Sequence, residues 1–271
     1  MCPSRISNTT GRLTIWAVSS ALGWLACGPV AAEVLQPFST ASAGAALPAP
    51  WRVVGLPDAK KPMTKLDIVS LDGERVLRIV ADKSYGSAMH MLAPVVPGPG
   101  SMLRWRWRLE QPLMTTDLRV REGDDAPVKV CAMFDMSTDK LGLIDRNILR
   151  LARSRTPEFV PAATLCYVWD HRLPVGTQLP NAFSPRLRYV VMDSGETLLG
   201  QWVKHERDLA ADFLHAFGAE TDVMPPLVGF AVGADSDNTQ SASLAYVGDL
   251  GLVIAPSVIS NWPAAPAPVK P

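Results

Sequence analysis

Leu103-Arg104-Trp105-Arg106-Trp107-Arg108-Leu109 alternates large apolar and cationic side chains without a break. Successive side chains on a strand point to opposite faces. Leu103, Trp105, Trp107 and Leu109 therefore share one face, and Arg104, Arg106 and Arg108 share the other. A helix would scatter the arginines around its circumference. The stretch predicts a strand with a buried face and a cationic face.

Strand signals continue on both sides. Residues 66–71 and 75–81 flank Asp72-Gly73, a hairpin turn because glycine readily takes positive φ. Apolar or β-branched runs follow at 85–92, 128–134, 164–169, 227–232 and 242–253. Residues 187–192 and 197–203 flank Ser194-Gly195, a second hairpin signal. About ten strands at this spacing predict an all-β, two-sheet antiparallel sandwich. Trp105, Trp107, Phe134, Trp169, Val191 and Trp202 are the expected large core residues. Two segments have helical periodicity, giving one or two short helices. One, 141–152, intersperses Arg146 and Arg150 among leucines and isoleucines; it is expected to cover a sheet edge or face, membrane contact being the alternative. The other, 208–217, repeats Leu209, Phe213 and Phe217 ahead of Gly218 and should plug the sandwich.

The chain has 271 residues, zero formal net charge, 48% hydrophobic and 19% charged residues, and 24 prolines. Neutral balance argues against a nucleic-acid partner. Arg5 and Arg12 precede an apolar stretch that ends in Val30-Ala31-Ala32, which reads as an export signal over residues 1–32. Ser19, Ser20, Gly23, Gly28 and Pro29 interrupt that stretch, so no transmembrane span is expected after cleavage. A lipidated form is the alternative, since Leu25-Ala26-Cys27 precedes Gly28, although Trp24 stands where lipoprotein signals carry leucine. A linker over 33–50, a β-sandwich domain over 51–255 and a disordered tail over 256–271 complete the organisation, and the expected location is periplasmic or secreted. Export permits a disulfide between Cys131 and Cys166; two buried free thiols are the plainer reading.

The candidate ligand-binding residues are Arg104, Arg106, Arg108, Asp124, Asp125, Tyr167 and Trp169. Guanidinium forks hold carboxylates or hydroxyls bidentately, so the arginine row fits an anionic or polyhydroxy ligand; a solvated face with acidic neighbours is the plainer alternative. Asp124 and Asp125, in Gly123-Asp124-Asp125-Ala126-Pro127, suit a turn, a salt bridge or a cation. Asp235, Asp237 and Asn238 place oxygens in alternation, so calcium is a candidate there; otherwise no cofactor is expected. The loop lacks the glycine and distant glutamate of an EF-hand. Asp124, Asp125, Asp170 and His171 are the groups available for acid–base chemistry, but no motif assigns a catalytic residue.

Several motifs recur in a fixed order. Leu103-Arg104-Trp105-Arg106-Trp107 and Gly123-Asp124-Asp125-Ala126-Pro127 precede Cys166-Tyr167-Val168-Trp169 and Gly200-Gln201-Trp202. Phe217-Gly218, Asp235-Ser236-Asp237-Asn238-Thr239 and Tyr246-Val247-Gly248-Asp249 follow. Together they resemble a bacterial family of exported proteins catalogued as a domain of unknown function, over residues 51–253. One departure is Asp-Ser-Asp in place of Asp-Thr-Asp, which keeps the hydroxyl. The resemblance implies a jelly-roll-like sandwich and no established activity. The functional expectation is a carbohydrate-binding module for a saccharide or other polar envelope ligand. A glycan-cleaving hydrolase or lyase and a structural envelope protein are the alternatives.

Overall fold

A computed structural model of the chain describes residues 35–56, 61–139, 141–156, 158–221 and 223–255. Among them are thirteen strands: β1 (Arg52–Val54), β2 (Lys65–Leu71), β3 (Glu74–Asp82), β4 (Tyr85–Val95), β5 (Met102–Gln111), β6 (Lys129–Phe134), β7 (Ala163–Asp170), β8 (Gln178–Pro180), β9 (Leu187–Ser194), β10 (Val203–Asp208), β11 (Leu227–Asp235), β12 (Ala242–Val247) and β13 (Gly251–Val253). Two α-helices, α1 (Leu143–Ser154) and α2 (Leu209–Phe217), interrupt them. The expected signal at 1–32 and tail at 256–271 lie outside the described residues.

The strands form a two-sheet, jelly-roll-like sandwich. One sheet is ordered β1-β4-β11-β6-β7-β9-β8, and the other β10-β5-β12-β3-β2 with β13 also on β5. Asp72 and Gly73 both take positive φ, 53° and 81°, and close the expected β2–β3 hairpin. Strand pairing is antiparallel except between β7 and β9, which run parallel. The chain leaves β7, places β8 on the far side of β9 and then returns in the β7 direction. A parallel pair needs such a crossover rather than a tight turn.

Alternation along β5 buries Leu103, Trp105, Trp107 and Leu109 between the layers, as the sequence predicts. Tyr167 and Trp169 of β7 and Phe230 of β11 meet them from the other sheet. Trp105 and Trp107 are T-shaped at 5.6 Å, and Trp107 reaches Trp169 at 6.4 Å. Two polar atoms in this layer find acidic partners: Trp107 Nε1 donates to Asp193 Oδ2 at 2.6 Å, and Tyr167 Oη donates to Asp212 Oδ2 at 2.8 Å. Asp208 caps α2 by accepting from the amides of Ala210 and Ala211, and Phe213 and Phe217 of α2 enter the core.

Five expectations are corrected. Residues 195–202 are turns rather than a strand, and β9 and β10 belong to different sheets, so Ser194-Gly195 closes no hairpin. Gly195 and Gly200 both have positive φ, which breaks an extended run there. Trp202 lies on the outer surface with Arg106 stacked 4.6 Å over its ring. Residues 35–50 pack on the sandwich rather than trailing from it: Leu35 and Phe38 join the core, and Ser39 bonds Asp249. Cys131 and Cys166 form a disulfide because β6–β7 register sets them directly opposite. Helix α1 buries only Leu149 and leaves most of its apolar side chains in solvent.

Candidate functional site

The second face of the seven-stranded sheet carries the candidate site. Interior positions on β6 are Val130, Ala132 and Phe134, so the same alternation turns Lys129 outward. By the same rule β4 presents Tyr85, β9 Tyr189 and β11 Asp235 on this side. Lys129 Nζ lies 2.7 Å from Asp235 Oδ2 and 4.8 Å from the centre of the Tyr85 ring. Asp235 Oδ1 also accepts from the Ala126 amide at 2.8 Å.

Loops supply the walls. A 3-10 turn at Arg121–Gly123 leads into Asp124. Gly123 is required by close approach, since a side chain there would come within 2.6 Å of the Asp117 amide nitrogen. Asp124 accepts from Tyr189 Oη at 3.0 Å and from Asn181 Nδ2. Asn181 Oδ1 accepts from the amides of Phe183 and Ser184, both at 2.9 Å, so one side chain folds its loop and orients Asp124. These groups and Phe183, Leu187, Lys61, Asp237 and Asn238 surround a cleft of about 420 Å³. Tyr85, Lys129 and Leu187 also border a second hollow of about 270 Å³ with Met89, Cys131, Met133 and Val160. The two hollows adjoin at these three shared residues and are together called the groove.

Burial and the nearby Asp235 carboxylate push the Asp124 carboxyl up to about 6, against the opposing hydrogen bond from Tyr189. Burial opposes the charge on Lys129, but Asp235, Tyr85 and Asp124 outweigh it and hold the ammonium above its ordinary value. The Tyr189 hydroxyl is raised well above the usual phenol range, by burial and then by Asp235 and Asp124. The groove thus holds a charged pair on its floor beside a carboxyl that takes up a proton near pH 6.

The residues selected from sequence for ligand binding or acid–base chemistry separate into five places, of which only that of Asp124 is the cleft. Arg104, Arg106 and Arg108 lie on the outer face of the other sheet, across the sandwich from Asp124, so they share no site with it. Glu206, Glu74 and Asp72 pair with them in that order, and Glu110 also meets Arg108. A groove of about 520 Å³ runs over Arg104 and Arg106. Asp125 is buried and accepts four hydrogen bonds, from the amide and Nδ2 of Asn238 and the amide and Oγ1 of Thr239. It joins two loops and keeps no acceptor position for a ligand. Tyr167 and Trp169 are corrected from ligand contacts to core: odd-numbered positions of β7 face inward, and both rings are buried between the sheets. Asp170 accepts from the amides of Arg172 and Leu173, and neither it nor His171 lines the cleft.

The expected calcium ligands all border the cleft but are engaged by other groups. Asp235 faces Lys129, Asp237 lies 3.3 Å from Lys61, and Asn238 donates to Asp125. Among the described residues no group of three or more histidines, cysteines or acids is placed to hold a metal ion. Lysine ammonium groups meet the carboxylates that an ion would have met. Sequence reasoning missed Lys129, Tyr85, Tyr189, Asn181 and Phe183. Lys129 had a legible signal, being the lone charge in the apolar run Val128-Lys129-Val130-Cys131-Ala132.

No curated protein matches the chain. Among solved structures it is similar to the Trichoderma harzianum endoglucanase 3 from family GH12, at 10% identity, over 78% of this chain and 100% of that one, with a TM-score of 0.37. It is also similar to the N-terminal CBM22-1-CBM22-2 tandem domain of Paenibacillus barcinonensis Xyn10C, at 12% identity and a TM-score of 0.33, over 76% of this chain and 46% of that one. The cellulose induced protein Cip1 is similar at 12% identity and a TM-score of 0.32, over 74% and 90% of the two chains. Residues 49–251 match the family described as "Protein of unknown function (DUF3047)", and the chain belongs to that family.

Proposed function

We propose that this protein binds a saccharide or similar polyhydroxy ligand in the groove over the seven-stranded sheet. The observation that carries the reading is that Asp124, held by Tyr189 and Asn181, lines the same cleft as the Lys129–Asp235 pair on its floor. Carboxylates and an ammonium offer acceptors and donors to hydroxyl groups, while Asn181 spends its amide on orienting Asp124 and its own loop. Phe183 is 53% exposed at the rim and offers an apolar face for a sugar ring. The Cys131–Cys166 disulfide and the signal-like residues 1–32 support action in the periplasm or outside the cell. No helix among the described residues is long and apolar enough to cross a membrane.

A glycan array followed by calorimetry tests this with the intact chain, Phe183→Ala, Asp124→Asn and Arg106→Ala. Each of the first two substitutions should weaken a discovered ligand at least tenfold, and the third should leave it unchanged. A ligand whose affinity follows Arg106 and ignores Phe183 and Asp124 sinks the assignment.

One observation favours a second reading, glycan cleavage with Asp124 as the proton donor. A carboxyl poised at about 6 can protonate a leaving oxygen near neutral pH. Release of reducing ends that declines above pH 6 and disappears in Asp124→Asn would establish it. Binding without any release retains the first reading alone.

A further inference from the structure

We propose that α1 docks the protein on an anionic lipid bilayer. The inference is independent of the ligand assigned to the groove. Ile144, Ile148 and Leu151 follow one another at spacings of four and three, so they form a stripe on one side of the helix. They are 75%, 56% and 50% exposed, and Leu143 beside them is 76% exposed. Leu149 alone is buried and fastens the opposite side to the body. A helix that leaves four large aliphatic side chains in water gains nothing for the fold from them, and surface patches of this kind mark contact sites.

Charge decides the partner. From Leu143 to Arg155 the chain carries Arg146, Arg150, Arg153 and Arg155 against the single carboxylate of Asp145. The whole protein is neutral, so the excess is local. No described carboxylate forms an ion pair with these arginines: Arg146 and Arg153 bond to carbonyl oxygens of Thr138 and Val160, and Arg150 bonds to Asn147 Oδ1. Arg150, Arg153 and Arg155 are themselves exposed. Exposed aliphatic residues with unpaired arginines on one short helix fit the boundary between headgroups and acyl chains, where apolar burial and attraction to anionic lipid act together. Val160, which receives the Arg153 bond, borders the second hollow of the groove, so a docked α1 brings that end of the groove to the bilayer surface.

Hydrogen–deuterium exchange of the intact protein tests the proposal, read on peptides spanning 143–155. The probes are vesicles of phosphatidylglycerol and phosphatidylethanolamine, with pure phosphatidylcholine for comparison, at physiological salt. Exchange in these peptides should slow at least fivefold with anionic vesicles and stay unchanged with neutral ones. Ile144→Glu with Ile148→Glu should abolish the protection, and Arg150→Ala should weaken it and flatten its salt dependence. These side chains lie in solvent, so an unchanged unfolding midpoint verifies the fold of each variant. Unprotected α1 peptides with anionic vesicles overturn the proposal. So does equal protection by neutral vesicles, or protection that arises without lipid as the protein self-associates.

Discussion

Lys129 and Asp235 form an ion pair at 2.7 Å from neighbouring strands, with both side chains less than a tenth exposed. Removing one partner leaves an uncompensated buried charge, whereas removing both leaves a smaller defect. Lys129→Met should cost about 3–5 kcal/mol in urea unfolding. Lys129→Met combined with Asp235→Leu should recover most of that loss. Equal destabilisation by the single and double variants would show that the pair contributes only through packing.

Asp124 links the groove to pH. Its carboxyl is raised from 3.8 to about 6 in the folded protein, so the folded state holds a proton that the unfolded chain releases earlier. This contribution to stability is complete below the ordinary carboxylate value and is lost as pH rises through about 6. Asp124→Asn removes the titration. Relative to the parent, the variant should therefore gain roughly 2–3 kcal/mol between pH 4 and pH 8. Chemical denaturation across that range measures the difference, and parallel curves would refute it.

Asp125 serves a different purpose from its neighbour. Its four accepted hydrogen bonds clamp the 124–127 loop to Asn238 and Thr239. Asp125→Ala should cost about 3 kcal/mol, because four partly buried donors lose their acceptor at once. Asp125→Asn should cost less. Faster amide exchange at residues 236–240 in the alanine variant would locate the damage.

The Cys131–Cys166 bridge spans 35 residues of sequence that include α1. Replacing both cysteines by serine should lower unfolding free energy by about 2–4 kcal/mol, since a closed loop of this length restricts the unfolded chain. Reduction of the parent protein should reproduce the effect. If the reduced parent and the double variant both match the oxidised protein, the bridge adds no stability.

On the far face, Arg106→Ala removes an ion pair with Glu74 and the stacking on Trp202. Exposed pairs contribute little, so the loss should stay near or below 1 kcal/mol and shrink further in high salt. A loss of several kcal/mol would mark this row as structural cement.

Regular alternation made the frame legible. The indole and guanidinium faces of residues 103–109, the Asp72-Gly73 hairpin and the α2 plug all rest on local periodicity or turn chemistry. The groove was only partly legible because it is assembled across strands far apart in sequence. Asp124 stood out in an acidic motif, yet its hydrogen-bond partners Asn181 and Tyr189 lie 57 and 65 residues away. Tyr167 and Trp169 invited a ligand role that the strand's own inward parity denies them. β10 escaped notice because Val203-Lys204-His205-Glu206-Arg207-Asp208 reads as charged surface, while His205 turns inward to Asp193 at 2.8 Å.

The wrap of residues 35–50 bears on how a fragment of this protein should be cut. Phe38 packs on Trp51 with ring centres 4.8 Å apart, and Ser39 reaches Asp249 from 210 positions away. A recombinant boundary drawn at Trp51 would strip the cover from that indole and sever a tether to the opposite end of the domain. Truncations meant to yield well-behaved material should begin ahead of Leu35.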